Sequence, residues 1–270
     1  MKLAFSTLGV PGLPIPEVIA LATAHGYQGV ELRTHPEEPV HLKLTTRQRQ
    51  AVADAFAGAG VTVLGIAGYA RVAAPGDDGP VLEELRALLE LAADLDAPFV
   101  RVFPGAGATA SAADAEAAEE AAVRRLAAAT GPADDRGVRL LLETHDSHRT
   151  GRAAGRIAER VGHPRVGVLW DVLHPWLAGE QPAATRAALG PHLGYVQVKD
   201  VVSAEDTTPV GLGAGALPLA ACLARLGGAD RDGWLCWEYE KRWYERAAPL
   251  GLLLGPGREH LLRLLADTAG

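Results

Sequence analysis

Cysteine is scarce in this 270-residue chain. The two present, Cys222 and Cys236, are too few for a disulfide framework and lack CxxC spacing, so both are expected as reduced, buried thiols. Basic residues are in deficit as well: Lys and Arg total 26 against 33 Asp and Glu, a formal net charge of −7. A surface that binds phosphate backbones calls for clustered Lys and Arg, so nucleic acid is not an expected partner. No window approaches the roughly 18 uninterrupted apolar residues of a membrane span. The opening MKLAFSTLGVPG holds only a short apolar run, unlike a secretory signal. The expectation is a cytoplasmic protein with no membrane attachment.

What is present suits a packed core. Hydrophobic residues make up 48% and charged residues 22%, the usual shares for a globular chain. Short apolar runs at 2–6, 29–32, 61–66, 99–103, 138–142, 166–170, 195–198 and 234–237 predict strands. Between them, helices are predicted over 16–26, 45–59, 80–96, 111–130, 149–161, 182–189, 217–226 and 259–267. The 80–96 segment spaces Leu82, Leu85, Leu88, Leu89 and Ala92 like one buried stripe. The Ala- and Glu-rich 111–130 segment reads as a plain outer helix without function. Alternating strands and helices, about eight of each and with no domain-sized break, predict an α/β fold, a single (β/α)8 TIM barrel over residues 1–270.

The stretch VRLLLETHDSH at 138–148 directs attention to strand ends, because an apolar strand there runs straight into Glu143. Asp171, Gln197 and Glu238 also stand at or near the C-terminal ends of successive strands. In a closed barrel those ends ring one mouth, where active sites are built. Three carboxylates and an amide oxygen make Glu143, Asp171, Gln197 and Glu238 candidate ligands of one divalent metal ion. An all-oxygen set suits Mn²⁺ or Mg²⁺ first, with Co²⁺ or Zn²⁺ as alternatives. Singly, each acid could equally cap a helix or pair with a neighbour.

Around these, Asp171-x-x-His174 sets an imidazole in the same short loop, and the following Pro175 and Trp176 are unusual for a solvent loop. His174 and Trp176 are therefore expected to face substrate, with His145 and then His148 as weaker candidates. Arg101, inside the fourth strand, is also assigned to the substrate. The segment WLCWEYEKRWY at 234–244 concentrates aromatics after Glu238, so Trp237, Tyr239, Arg242 and Trp243 are candidate walls of the pocket. The run Gly211 to Gly215 lacks the setting of a dinucleotide fingerprint and is expected as a flexible loop over the mouth.

These pieces together resemble the xylose-isomerase-like TIM barrels, which group sugar isomerases and epimerases with inosose dehydratases. The resemblance is carried by GVELR at 29–33, VRVFPG at 100–105, LLETHDS at 141–147, LWDVLHP at 169–175, YVQVKD at 195–200, VGLGAGALPL at 210–219 and WLCWEYEKRW at 234–243. It implies a metal held by Glu143, Asp171, the position of Gln197, and Glu238, with His174 and Lys199 facing the substrate. Gln197 stands where many members have His, and Ala214 where they often have a carboxylate.

The resemblance also implies a mechanism. A metal-stabilised enediolate forms when one of the catalytic carboxylates, Glu143 or Glu238, removes a proton beside a carbonyl and the other returns it. The expected function is isomerisation or epimerisation of a sugar, ketose or inositol-derived ketone, a small carbohydrate-like partner. A dehydratase on the same site, with His174 as acid, is the runner-up. A barrel that binds sugar or a partner subunit without catalysis is the reading that Gln197 and Ala214 keep open. Apurinic-site endonucleases share the fold but need further histidines, and GIAGYA and VFPGAG after the third and fourth strands supply none. Assembly into a homo-oligomer is left open.

Overall fold

Period-two alternation along short strands sets the architecture. In the computed structural model, which describes residues 1–107 and 111–267, the strands are β1 (Lys2–Ser6), β2 (Gly29–Arg33), β3 (Thr62–Arg71), β4 (Phe99–Phe103), β5 (Arg139–Glu143), β6 (Val166–Asp171), β7 (Leu193–Val198) and β8 (Trp234–Trp237). Each pairs in parallel with the next, and β8 returns to β1 through Lys2↔Trp234 to Phe5↔Trp237, closing the barrel. This is the (β/α)8 TIM barrel expected from the sequence.

Alternate residues of each strand face two different cores. Leu3 and Phe5 of β1, Val30 and Leu32 of β2, Val100 and Val102 of β4, and Leu140 and Leu142 of β5 pack outward against the helices. Inside the barrel, Ala4, Leu64, Leu141, Leu169, Tyr195 and Cys236 form a compact apolar floor. Burying each of the larger ones contributes about 1.5–3 kcal/mol. Two residues further along the strands, the same inward parity brings up Ser6, Glu31, Arg101, Glu143, Asp171, Gln197 and Glu238, all buried. The floor thus ends in a polar layer at the C-terminal mouth.

The helices are α1 (Ile15–His25), α2 (Thr46–Ala59), α3 (Asp78–Asp94), α4 (Ala112–Ala128), α5 (Thr130–Arg136), α6 (Gly151–Val161), α7 (Leu173–Leu177), α8 (Pro182–Leu189), α9 (Leu219–Leu223) and α10 (Leu250–Asp267). Local chemistry fixes their ends. Thr45 and Gln48 form a capping box at the start of α2, and Gly60 takes the left-handed φ of 65° that stops it. Two short helices, α5 and α7, were not expected, and α9 is shorter than the 217–226 reading.

Two glycine-marked boundaries moved. The third strand runs on to Arg71 because Gly68 does not break it. A Cβ there would sit 2.5 Å from Leu88 Cδ1 of α3, so the glycine admits a close helix. The last helix starts at Leu250, passes through Pro256, and uses Gly257 to seat the indole of Trp237. Both cysteines are free and buried, Cys236 in the barrel floor and Cys222 on the inner face of α9.

Candidate active site

The polar layer gathers opposite charges on side chains almost wholly buried from solvent. Glu143, Asp171 and Glu238 are 1%, 0% and 4% exposed, and one oxygen of each lies within 4.8 Å of the others. Three such carboxylates cannot all stay ionised without cations close by. Lys199 provides one: its Nζ lies 2.8 Å from Asp171 Oδ2 and 2.8 Å from Glu240 Oε1, and it also pairs with Glu238. Burial works against a charge on Lys199, but Asp171, Glu238 and Glu240 outweigh it and hold the ammonium well above its ordinary value. Burial also pushes the Glu143 carboxyl up to about 8, although Arg101 pulls the other way.

The side chain of Gln197, also inside this layer, is held by its nitrogen. Nε2 donates to Glu31 Oε1 and Oε2 at 3.1 and 2.9 Å and to Glu238 Oε1 at 3.1 Å. The carbonyl oxygen is the end left over: Oε1 is buried without a hydrogen-bond partner, as are Glu143 Oε2 and Asp171 Oδ2. Asp171 Oδ2 and Glu143 Oε2 keep only their ion pairs, with Lys199 at 2.8 Å and Arg101 at 3.2 Å, so three converging carboxylates and an unpartnered amide oxygen form a donor set that fits a divalent metal. Glu143, Asp171, Glu238 and the Gln197 oxygen would hold it. A second set, Glu143 with His145 and His174, overlaps the first and brings nitrogen ligands within the same 4.8 Å limit.

The two imidazoles lie side by side, ring centroids 4.1 Å apart. His174 Nε2 is 3.5 Å from Asp171 Oδ2, and burial together with neighbouring His145 and Lys199 keeps its pKa well below the ordinary value. Burial also opposes charge on His145, but the bond to Asp146 Oδ2 at 3.3 Å and the Glu143 carboxylate outweigh it and raise that imidazole. A cavity of about 470 Å³ opens over this layer, lined among others by Tyr69, Arg101, Phe103, Glu143, Glu238 and Trp243.

Several residues expected to wall the pocket or face the substrate do not line the cavity. Trp237 is fully buried with its ring over Gly257, because Cys236 and Glu238 take the inward positions of β8 and the residue between them must face α10. Trp176 packs in α7 against the outer core. Arg242 turns to the rim, where Nη2 bonds Glu37 Oε2 at 2.6 Å. Tyr239 is buried with its hydroxyl on Ala248 O at 3.1 Å, and His148 is buried with Nδ1 3.1 Å from Ser147 Oγ. The glycine-rich segment expected to be flexible is pinned: the Asp200 carboxylate accepts from the N–H groups of Gly213, Gly215 and Leu217 at 2.9, 3.0 and 3.1 Å.

Glu31 is the residue that sequence reading passed over. It is fully buried, accepts from the Tyr195 hydroxyl and from Gln197, and its pKa is raised by burial and by Glu238. The signal was available, since Glu31 alternates with the outward Val30 and Leu32 of β2 and so had to face the barrel interior.

The family model described as Xylose isomerase-like TIM barrel matches residues 19–263. The chain belongs to this family. Among curated relatives of this xylose isomerase-like barrel, one from Streptomyces coelicolor named "Putative hydroxypyruvate isomerase" is 28% identical over 254 residues, covering 84% of this chain and 86% of its own. Among solved structures, the IOLI protein with a bound zinc atom superposes with a TM-score of 0.82 at 19% identity, covering 99% of both chains. An L-ribulose 3-epimerase superposes at 0.81 with 17% identity, covering 100% of this chain and 96% of its own. At such identities the two structures speak for the fold. Among the described residues no helix is long and apolar enough to cross a membrane.

Proposed function

We propose that this xylose isomerase-like barrel is a divalent-metal-dependent isomerase or epimerase of a sugar, ketose or related hydroxy-carbonyl compound. The observation that carries the reading is that Glu143 and Glu238, from β5 and β8, line the same cavity and each offer an oxygen within 4.8 Å of Asp171 and of one another. Two rigid carboxylates at one small cavity suit removal of a proton beside a carbonyl and its return to the neighbouring carbon or the opposite face. The names of the relatives, a hydroxypyruvate isomerase and an L-ribulose 3-epimerase, support chemistry of this kind.

A bound divalent ion would polarise the carbonyl and offset the charge of the enediolate. The chain itself supplies the rest. Glu143 or Glu238 takes the proton, and the other carboxylate delivers it. Lys199 offsets negative charge between Asp171 and Glu238 and keeps them apart from mutual repulsion. The zinc atom bound by the IOLI protein and the His145–His174 pair here favour Zn²⁺ alongside Mn²⁺ as ions to load.

Solvent-deuterium exchange into ketoses, inosose and hydroxypyruvate tests this reading. Glu143→Gln and Glu238→Gln should each slow exchange by about 10²–10⁴-fold with the fold intact by circular dichroism. Full exchange in both variants would refute it. Release of water from the substrate would move the assignment to a dehydratase, and ligand binding with no exchange would move it to a sugar-binding subunit.

A further inference from the structure

Arg101 is a buried cation whose hydrogen bonds are unmade. Its side chain is 4% exposed, yet Nε and Nη1 have no hydrogen-bond acceptor among the described residues. Nε lies 3.2 Å from Glu143 Oε2, close enough for charge attraction but out of line for a hydrogen bond. The guanidinium carbon sits 3.9 Å from the centre of the Phe103 ring and 5.6 Å from that of Tyr69, so two rings flank it. All three residues line the cavity. A guanidinium fixed in this way with unmet donors is costly unless something entering the cavity brings acceptors.

The cavity is also divided by charge. Its β5 and β8 side carries Glu143 and Glu238, and its β3 and β4 side carries Arg71 and Arg101. Arg71 is exposed and makes no side-chain hydrogen bond or ion pair with another described residue. We propose that the substrate bears a carboxylate a few bonds from its reacting carbons, and that Arg101 receives it with help from Arg71. This rests on the isomerase or epimerase reading and narrows its substrate class to short hydroxy-carbonyl acids.

Three observations favour a carboxylate over a neutral sugar or a phosphate ester. Glu143 already lies beside the Arg101 charge, so what the guanidinium needs is aligned acceptors for its unmet N–H donors, and a planar carboxylate matches that fork where the scattered hydroxyls of a neutral polyol do not. Phosphate sites draw on free backbone N–H groups. Here those groups are spent on the protein's own acceptors: Gly105 N on Asp146 Oδ1 at 3.0 Å, Ala106 N on Ser147 Oγ at 3.2 Å, and Gly213 N and Gly215 N on Asp200. Third, the 3.2 Å between Arg101 and Glu143 places the anion site directly beside the proton-transferring carboxylate. The phosphate at the far end of a long sugar would not fall there.

Titration calorimetry with D-erythronate, erythritol and D-erythritol 4-phosphate, with and without Mn²⁺, separates the cases. Erythronate is expected to bind about tenfold tighter than erythritol or better. In Arg101→Met that preference, read as the ratio of the two affinities within the one variant, should fall to within about twofold. Arg101→Lys keeps a point charge without the planar fork and should retain only part of it. Arg71→Met, at an exposed position, should lower it by about threefold and serves if Arg101→Met does not fold. Equal affinities in the parent protein, a preference that survives loss of Arg101, or tighter binding of the 4-phosphate would each overturn the proposal. An Arg101-dependent preference for erythronate without proton exchange on any substrate would uphold it while the isomerase reading fails.

Discussion

Gln197 is oriented by Glu31. The amide nitrogen lies 2.9 Å from Glu31 Oε2, and that same oxygen accepts from the Tyr195 hydroxyl. A carboxylate on β2 therefore sets which end of a β7 amide is left without a hydrogen-bond partner among the described residues. Glu31→Ala removes the acceptor for two buried donors and is expected to cost about 2–5 kcal/mol in urea denaturation. Glu31→Gln keeps one acceptor oxygen and should cost less than half of that. It also frees the Gln197 amide to turn, so affinity for Mn²⁺ or Zn²⁺ should drop about tenfold. Unchanged metal affinity in Glu31→Gln would show that Gln197 is not held for the ion.

Lys199 shares Asp171 and Glu238 with any bound cation, so its removal should bring the metal dependence of stability into view. Metal-free Lys199→Met leaves buried carboxylates without their ammonium and is expected to lose about 3–5 kcal/mol. Added Mn²⁺ or Zn²⁺ should then raise the melting temperature of the variant more than that of the parent, because binding to the folded form alone stabilises by mass action. Equal shifts in the two proteins would show that Lys199 and the ion occupy separate places.

The barrel and its ring of acids were legible because both follow from strand parity and from carboxylates at strand ends. Trp237 was misplaced for want of the same rule: with Glu238 inward, Trp237 had to be outward, whatever its chemistry. Glu31 obeyed the rule and was overlooked because one acid in GVELR carries no special signal. What parity cannot give is the pairing across the barrel. Nothing in the sequence joins Glu31 to Tyr195, 164 positions away, or Asp200 to the N–H groups of the glycine-rich segment. Those pairings depend on where the closed barrel brings side chains from distant strands and loops.

Asp146 ties the loop after β4 to the loop after β5. Its carboxylate accepts from Gly105 N at 3.0 Å, from Ser147 Oγ at 2.8 Å and from Ser147 N. Burial would raise its pKa, but the bonds from His145, Ser147 and Gly105 outweigh that and hold it well below the usual carboxylate range. A depressed folded pKa means that the stabilisation is present above the unfolded value, near about 3.9, and is lost as pH falls through the folded value. Asp146→Asn, which tolerates the positive φ of 33°, should be about 1 kcal/mol less stable at neutral pH after allowing for solvent screening. The difference from the parent should shrink below about pH 4. A gap that stays constant down to pH 2 would rule out ionised Asp146 as its source.

Arg125 shows that α4, expected as a plain outer helix, anchors the segment that joins β3 to α3. The side chain is 1% exposed. Nη1 donates to Val72 O at 3.0 Å and Ala74 O at 2.6 Å, Nη2 to Gly76 O at 2.7 Å, and Nε to Asp78 Oδ1 at 2.7 Å. A planar guanidinium can reach all four acceptors at once, and a lysine ammonium cannot. Arg125→Met strands several carbonyls and should cost about 3 kcal/mol in chemical denaturation. Arg125→Lys restores the charge but not the spread of donors, and should recover less than half of the loss. If Arg125→Lys proves as stable as the parent, the charge alone suffices and the fork of donors is not what holds this segment in place.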